Sequence, residues 1–284
     1  MADPNPKPTD QELDVFGLTH RGKVRKENQD HFLICTLHKQ MRIHGTSLPH
    51  PEHLAAPSER LAFLAVVADG VGGHLGGEEA SRLTLEAVAG YLTNSMHCYY
   101  THDPEQESEF LEQLQSSVLE SHQKVTAEAE ADPARKGMAS TLTLAIAVWP
   151  WAYVVHVGDS RCYQLREGGL IQITRDQTVG QALYDEGLLD TAEAMESKWS
   201  HVLASAIGGP EANPVTSRVA LHRDDVLLLC SDGLSGYVSD EQIRERLLTM
   251  KSAKQACHAL VEDALEGGGG DNVTVVVGRA PSRR

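Results

Sequence analysis

Basic residues are scarce in this chain. Its 284 residues hold 25 Lys and Arg against 40 Asp and Glu, a formal net charge of −15, and no basic block occurs away from the tail Arg279 to Arg284. A surface of that sign repels phosphate backbones, so nucleic acid is not expected as a partner. Solubility accounts for most of the acidity, and bound divalent cations offset a minor share. The five cysteines (Cys35, Cys98, Cys162, Cys230 and Cys257) are scattered and form no CxxC pair, which argues against a zinc or dithiol motif. A reducing, cytoplasmic setting fits them. Long apolar runs are also lacking: the most apolar region, Thr141 to Val157, is broken by Pro150 between two tryptophans and reads as a buried hairpin, not a membrane span. The first residues, MADPNPKPTDQE, lack the apolar stretch of a signal peptide and read as a loose tail. No GxxxxGK[ST] segment occurs, which disfavours a P-loop enzyme.

What the chain does have is Val, Leu, Ala and Ile in short runs, with 41% hydrophobic residues and only 5% aromatic ones. Strand-like runs fall at Leu13–Leu18, Asp30–Leu37, Leu61–Ala68, Leu142–Trp149, Ala152–Val157, Cys162–Arg166, Leu170–Thr174, Val226–Cys230 and Val273–Val277. Helical periodicity covers Glu78–Tyr99, Glu107–Glu130, Asp240–Met250 and Ala253–Leu265, with Ser239 and Asp240 offering N-cap oxygens. Helices come in consecutive pairs and strands join through short turns. That order predicts an α+β fold of antiparallel sheets covered by helix pairs. We expect a single domain over 12–279, with an inserted arm at 38–60, a lobe at 176–215 holding a short helix around Ala192–Ser197, and tails at 1–11 and 280–284. His38, His44, His50 and His53 of the arm match no zinc spacing and read as loop histidines.

Four aspartates stand at the ends of apolar runs beside glycine or asparagine: Asp30 in RKENQD, Asp69 in VADGVGGH, Asp232 in LCSDGLSG and Asp271 in GGGGDNVTVVV. A strand end fixes a short carboxylate, and the neighbouring glycine lets backbone or substrate come close. Oxygen ligands of this kind suit Mg²⁺ or Mn²⁺ better than zinc. Asp before Gly is also an ordinary turn former, so each residue alone is ambiguous.

Taken in order, RGKVRKENQD, VADGVGGH, GMASTLTLA, HVGDSR, LCSDGLSGYVSDEQI and GGGDNVTVVV resemble the signature blocks of bacterial metal-dependent protein phosphatases of type 2C, from about Phe16 to Val277. The resemblance implies a four-layer α-β-β-α sandwich with two Mn²⁺ or Mg²⁺ ions between the sheets, whose shared water attacks a phosphoserine or phosphothreonine. It implies that Asp69 bridges both metals and the Gly70 carbonyl serves the second. Asp232 and Asp271 would serve the first, Asp30 would lie in the shell of the second, and Arg25 would grip the phosphoryl oxygens. Gln29 stands where many relatives place Glu, which would weaken the second site. Val71 replaces the histidine that animal members use as an acid, with His74 the nearest substitute. For the third metal of bacterial relatives, Asp132 and Asp176 are the acidic candidates, while Asp159 and Arg161 of the HVGDSR block read as structural hydrogen-bonding residues. The expected partner is a phosphoprotein modified by a Ser/Thr kinase, and the expected state is a monomer. A catalytically silent binding member and a hydrolase of small phosphoesters are the competing readings.

Overall fold

The structure is a computed structural model and describes residues 5–39, 59–72, 76–95, 104–190 and 199–282. Period-two alternation sends successive side chains of each strand into different layers. Strands β1 (Asp14–His20), β11 (Val273–Arg279), β10 (Val226–Cys230), β7 (Arg161–Arg166) and β8 (Gly169–Gln172) form one antiparallel sheet in that order. The other runs β2 (Asp30–Lys39), β3 (Glu59–Val71), β5 (Leu142–Val148), β6 (Trp151–Val157) and β9 (Val215–Ala220), with the two-residue β4 (Ala139–Ser140) beside β3.

Three apolar layers result. On β3, Leu64, Val66 and Ala68 pack outward with Leu85 and Val88 of α1 (Gly76–Ser95) and Leu114 and Val118 of α2 (Pro104–Ala131). On β10 and β11, Leu228, Cys230, Val275 and Val277 pack outward against Leu234 of α4 (Asp232–Ser235), Ile243 of α5 (Asp240–Leu248) and Leu260 of α6 (Ala253–Glu266). The intervening residues Ala65, Val67, Ala145, Val154, Leu229 and Val276 meet between the sheets. The expected α-β-β-α sandwich is therefore the observed one. Ser239 caps α5 in a reciprocal capping box with Gln242, and Ser252 caps α6.

Several boundaries differ from the expectation. Residues 5–12 are no loose tail: Trp149 Nε1 donates to the Asn5 carbonyl (2.8 Å), Asn5 Nδ2 donates to the Leu221 carbonyl (2.8 Å), and the buried Arg60 guanidinium holds Pro8 O and Asp10 at 2.5 Å each. The end of the chain is likewise tied as far as Ser282, whose amide donates to Asp224 Oδ1 (2.9 Å), and Ala280 is buried. The arm begins later than expected, because His38 and Lys39 still pair with Arg60 and Glu59 across a bulge; its remainder at 40–58, with His44, His50 and His53, lies outside the described residues. Strand β9 and the helices α3 (Val179–Asp185) and α4 were not foreseen. The short helix expected around 192–197 lies outside the described residues.

Candidate metal centre

Each sheet brings its aspartates to the same end of the sandwich. Asp30 opens β2 directly opposite Asp69 near the end of β3. Asp159 follows β6 by two residues, Asp232 follows β10 by two, and Asp271 precedes β11 by two. Close backbone approach sets this end. A Cβ on Gly70 would stand 2.1 Å from the Gly77 carbonyl, and one on Gly233 would stand 1.8 Å from the Asn272 carbonyl, so only glycine fits after either aspartate.

Asn272, nearly buried, stitches the 21–29 loop to the start of β11. Its Nδ2 donates to the carbonyls of Arg21 and Glu27 (2.9 Å each), and its Oδ1 accepts from the Gln29 amide (2.8 Å). Gln29 in turn accepts at its carbonyl from Gly70 N (3.1 Å) and Ser81 Oγ (2.6 Å), so it acts as a clasp between β2, β3 and α1. Ser231 Oγ donates to Asp30 Oδ2 at 2.7 Å, joining the two sheets across the site. Behind Asp69 runs a chain of buried hydroxyls. Thr141 Oγ1 accepts from the Asp69 amide (3.0 Å) and pairs with Ser160 Oγ (2.6 Å). Thr143 Oγ1 donates to the Ser160 carbonyl (3.0 Å) and so accepts from His156 Nδ1 (2.9 Å).

The carboxylates are strained electrostatically. Burial, followed by the charges of Asp30, Asp232, Asp159 and Asp271, raises Asp69 well above the usual carboxylate range. Burial lifts Asp30 to about 6, and burial with Asp271 raises Asp232. Asp159, read from the sequence as a structural residue, is buried within the same field, raised by burial and then by Asp232 and Asp176. The buried Oδ1 atoms of Asp30 and Asp232 have no hydrogen-bond partner among the described residues. Unpaired acceptors in a buried acidic cluster fit hard cations. Among the described residues no three of these groups yet converge on one point at ligand distance. Asp271 is turned onto Arg25, which binds it with two bonds of 2.8 and 2.5 Å, and one oxygen of Asp30 is spent on Ser231.

Other candidates lie elsewhere. Asp132 caps the turn Pro133–Arg135 through Ala134 N (2.9 Å) and is half exposed. Asp176 is held by Arg161 through bonds of 2.7, 2.9 and 3.1 Å. His74 lies outside the described residues. The lobe after Asp176 is fastened beside the site, with Gln177 N donating to Gly158 O (2.7 Å) and Ser140 exchanging two 2.8 Å bonds with Ile207. Burial disfavours the thiolate of each cysteine among the described residues: it raises the half-buried Cys35, and pushes Cys230 and Cys257 up to about 12 and Cys162 higher still.

A sequence model of the protein phosphatase 2C family matches residues 52–266. The chain is 41% identical over 216 residues to the serine/threonine protein phosphatase PstP of Mycobacterium tuberculosis, covering 76% of this chain but 40% of that protein. The serine/threonine phosphatase stp of Listeria innocua is 28% identical over 215 residues, 75% of this chain and 83% of that one. The crystal structure of the PstP catalytic domain in complex with two manganese ions superposes with a TM-score of 0.73 at 34% identity, over 95% of this chain and 99% of that one. With the family model spanning most of the sandwich, and with this fold and this disposition of aspartates, the chain belongs to the protein phosphatase 2C family.

Proposed function

We propose that this chain hydrolyses phosphoserine and phosphothreonine in proteins, opposing a Ser/Thr kinase in a reducing cytoplasm. The observation that carries the reading is the buried group of aspartates from both sheets, with acceptor oxygens left unsatisfied at Asp30 and Asp232. Asp69, Asp232 and Asp271, with Asp30, Asp159 and the Gly70 carbonyl around them, would hold two Mn²⁺ or Mg²⁺ ions; M. tuberculosis PstP, a relative, binds two manganese ions. When bound, such ions neutralise phosphoryl charge and lower the pKa of a coordinated water.

The chain's own groups do the rest. Asp69 is held by its amide on Thr141 and by its strand partner Asp30, so its carboxylate is fixed at the centre of the cluster. Arg25 stands at the rim, more than half exposed, and its planar fork matches phosphoryl oxygens as well as it matches Asp271. Water is the nucleophile in this reading: the phosphoester and one water yield inorganic phosphate and the free hydroxyl. Asp132 is engaged with its own turn, so the proposal needs two ions only.

The test is phosphate release from phosphothreonine and phosphotyrosine peptides with Mn²⁺, with EDTA, and with Asp69→Asn and Asp232→Asn proteins. We expect metal-dependent release from phosphothreonine that either substitution removes. No release from several phosphothreonine peptides by folded, Mn²⁺-loaded protein would replace this reading with a silent binding module.

A further inference from the structure

Towards the end of the sandwich opposite the aspartates, the packing between the two sheets is incomplete. A cavity of about 90 Å³ lies between them. It arises where small residues of two neighbouring strands, Ala65 of β3 and Ala145 and Ala147 of β5, lie across from Gly278 of β11 in the other sheet. Val276, Leu227 and Leu229 complete an apolar wall. Protein interiors seldom leave voids larger than a water molecule, so a gap of this size is exceptional.

The polar groups at its edge are already engaged with the protein. Asp225 accepts from Arg166 Nη2 (2.6 Å), from Gln164 Nε2 (3.3 Å) and from the His222 amide (2.7 Å). Arg60 is spent on Pro8 O and Asp10, and Arg279 donates to Asp14 (3.0 Å) and to the Lys251 carbonyl (2.8 Å). Such a wall gives water too few partners, and cavities of this kind take apolar guests. The cover is the segment Asn5–Leu13, which reaches the wall with Lys7, Pro8 and Leu13 and is held by hydrogen bonds and by the ion pairs of Arg60 with Asp10 and of Arg223 with Glu12.

We propose that this cavity is a binding site for a short neutral hydrocarbon, entering beneath the N-terminal segment and held by apolar contact alone. Three of the strands that line it lead to the cluster: β3 contains Asp69, β10 ends two residues before Asp232, and β11 begins two residues after Asp271. An occupant therefore packs on the same strands that carry the candidate metal centre.

Xenon-pressurised crystals of the full chain test the site directly. Xenon between Ala65, Ala145, Leu229 and Val276 is the expected result, and a cavity that stays empty under pressure overturns the proposal. Cyclopentane-saturated buffer should raise the Tm of the wild type by about 1 °C or more and leave Ala145→Leu unmoved, because the leucine fills the space. Equal shifts in both proteins would also overturn it. Should the leucine variant fail to fold, Ala147→Val makes the same comparison, and the wild-type xenon map decides alone. Neither readout involves phosphate release, so the site stands or falls apart from the proposed activity.

Discussion

Asp69 owes its position to a hydroxyl. Thr141 Oγ1 accepts from the Asp69 amide and pairs with the Ser160 hydroxyl, so Thr141→Val strands two buried polar groups. We expect a loss of about 1–3 kcal/mol in urea unfolding, with weakened Mn²⁺ binding by calorimetry. His156, at the far end of the same hydroxyl chain, is held neutral because burial lowers its pKa from 6.5 to about 4. The unfolded chain takes up a proton there first as pH falls. This contribution is therefore complete above 6.5 and is lost as pH falls towards 4, to a total of about 3 kcal/mol. Comparing unfolding at pH 7 and 4.5, His156→Leu should lose less stability than the wild type; equal losses would refute the assignment. Asp69, Asp232 and Asp271 were visible as candidates because an apolar run ends beside each of the first two and begins just after the third. Asp159 reads from GDSR as a structural hydrogen-bonding residue, and its place in the same buried acidic field depends on a fold that no local pattern shows.

Among the elements, the N-terminal segment carries the clearest consequence. A chain begun at residue 13 loses the bonds of Asn5 to Trp149 and Leu221 and of Pro8 to Arg60. At about 1 kcal/mol each these three bonds give about 3 kcal/mol, and the loss of Asp10 from the buried Arg60 and of Glu12 from Arg223 adds to that, with a red-shifted tryptophan emission as Trp149 meets water. Mn²⁺ affinity should hold, since the site is at the other end. Gly233→Ala should do the reverse. Its Cβ would strike the Asn272 carbonyl and part α4 from β11, so Mn²⁺ affinity should fall roughly tenfold or more in titration. Long periodic helices and strands buried on both faces were readable, since their pattern is imposed by the layers they join. Strand β9 was missed because its positions are half-buried, without a clean alternation. Helices α3 and α4, at 7 and 4 residues, are too short to show a period. The N-terminal segment is polar and proline-rich, and its order depends on distant partners that no local pattern reveals.

For the whole molecule, the cluster sets the response to pH and cation. With Asp30 lifted from 3.8 to about 6, the metal-free fold holds a proton that the unfolded chain gives up. That contribution is present below 3.8 and is lost as pH rises through about 6, so in the metal-free protein Asp30 adds its charge to the cluster by neutral pH. Mn²⁺ at 100 times its Kd should add about 2.7 kcal/mol at pH 7.5, and the gain in Tm should shrink towards pH 5 as protons compete for the carboxylates. A gain independent of pH would argue against carboxylate ligation.

The bond from Ser231 to Asp30 crosses from one sheet to the other, at the end where negative charges crowd. At the opposite end, the peptide itself runs from its anchors on Trp149, Leu221 and Arg60 straight into β1 of the other sheet. Mechanically the sandwich is a clothes-peg, hinged by backbone at one end and pinned at the other by the Ser231–Asp30 bond, where bound cations would act as rivets. Stripping the metal should therefore unzip the protein from the aspartate end, and amide exchange should quicken first where β2, β10 and β11 approach the site, while the hinge stays shut.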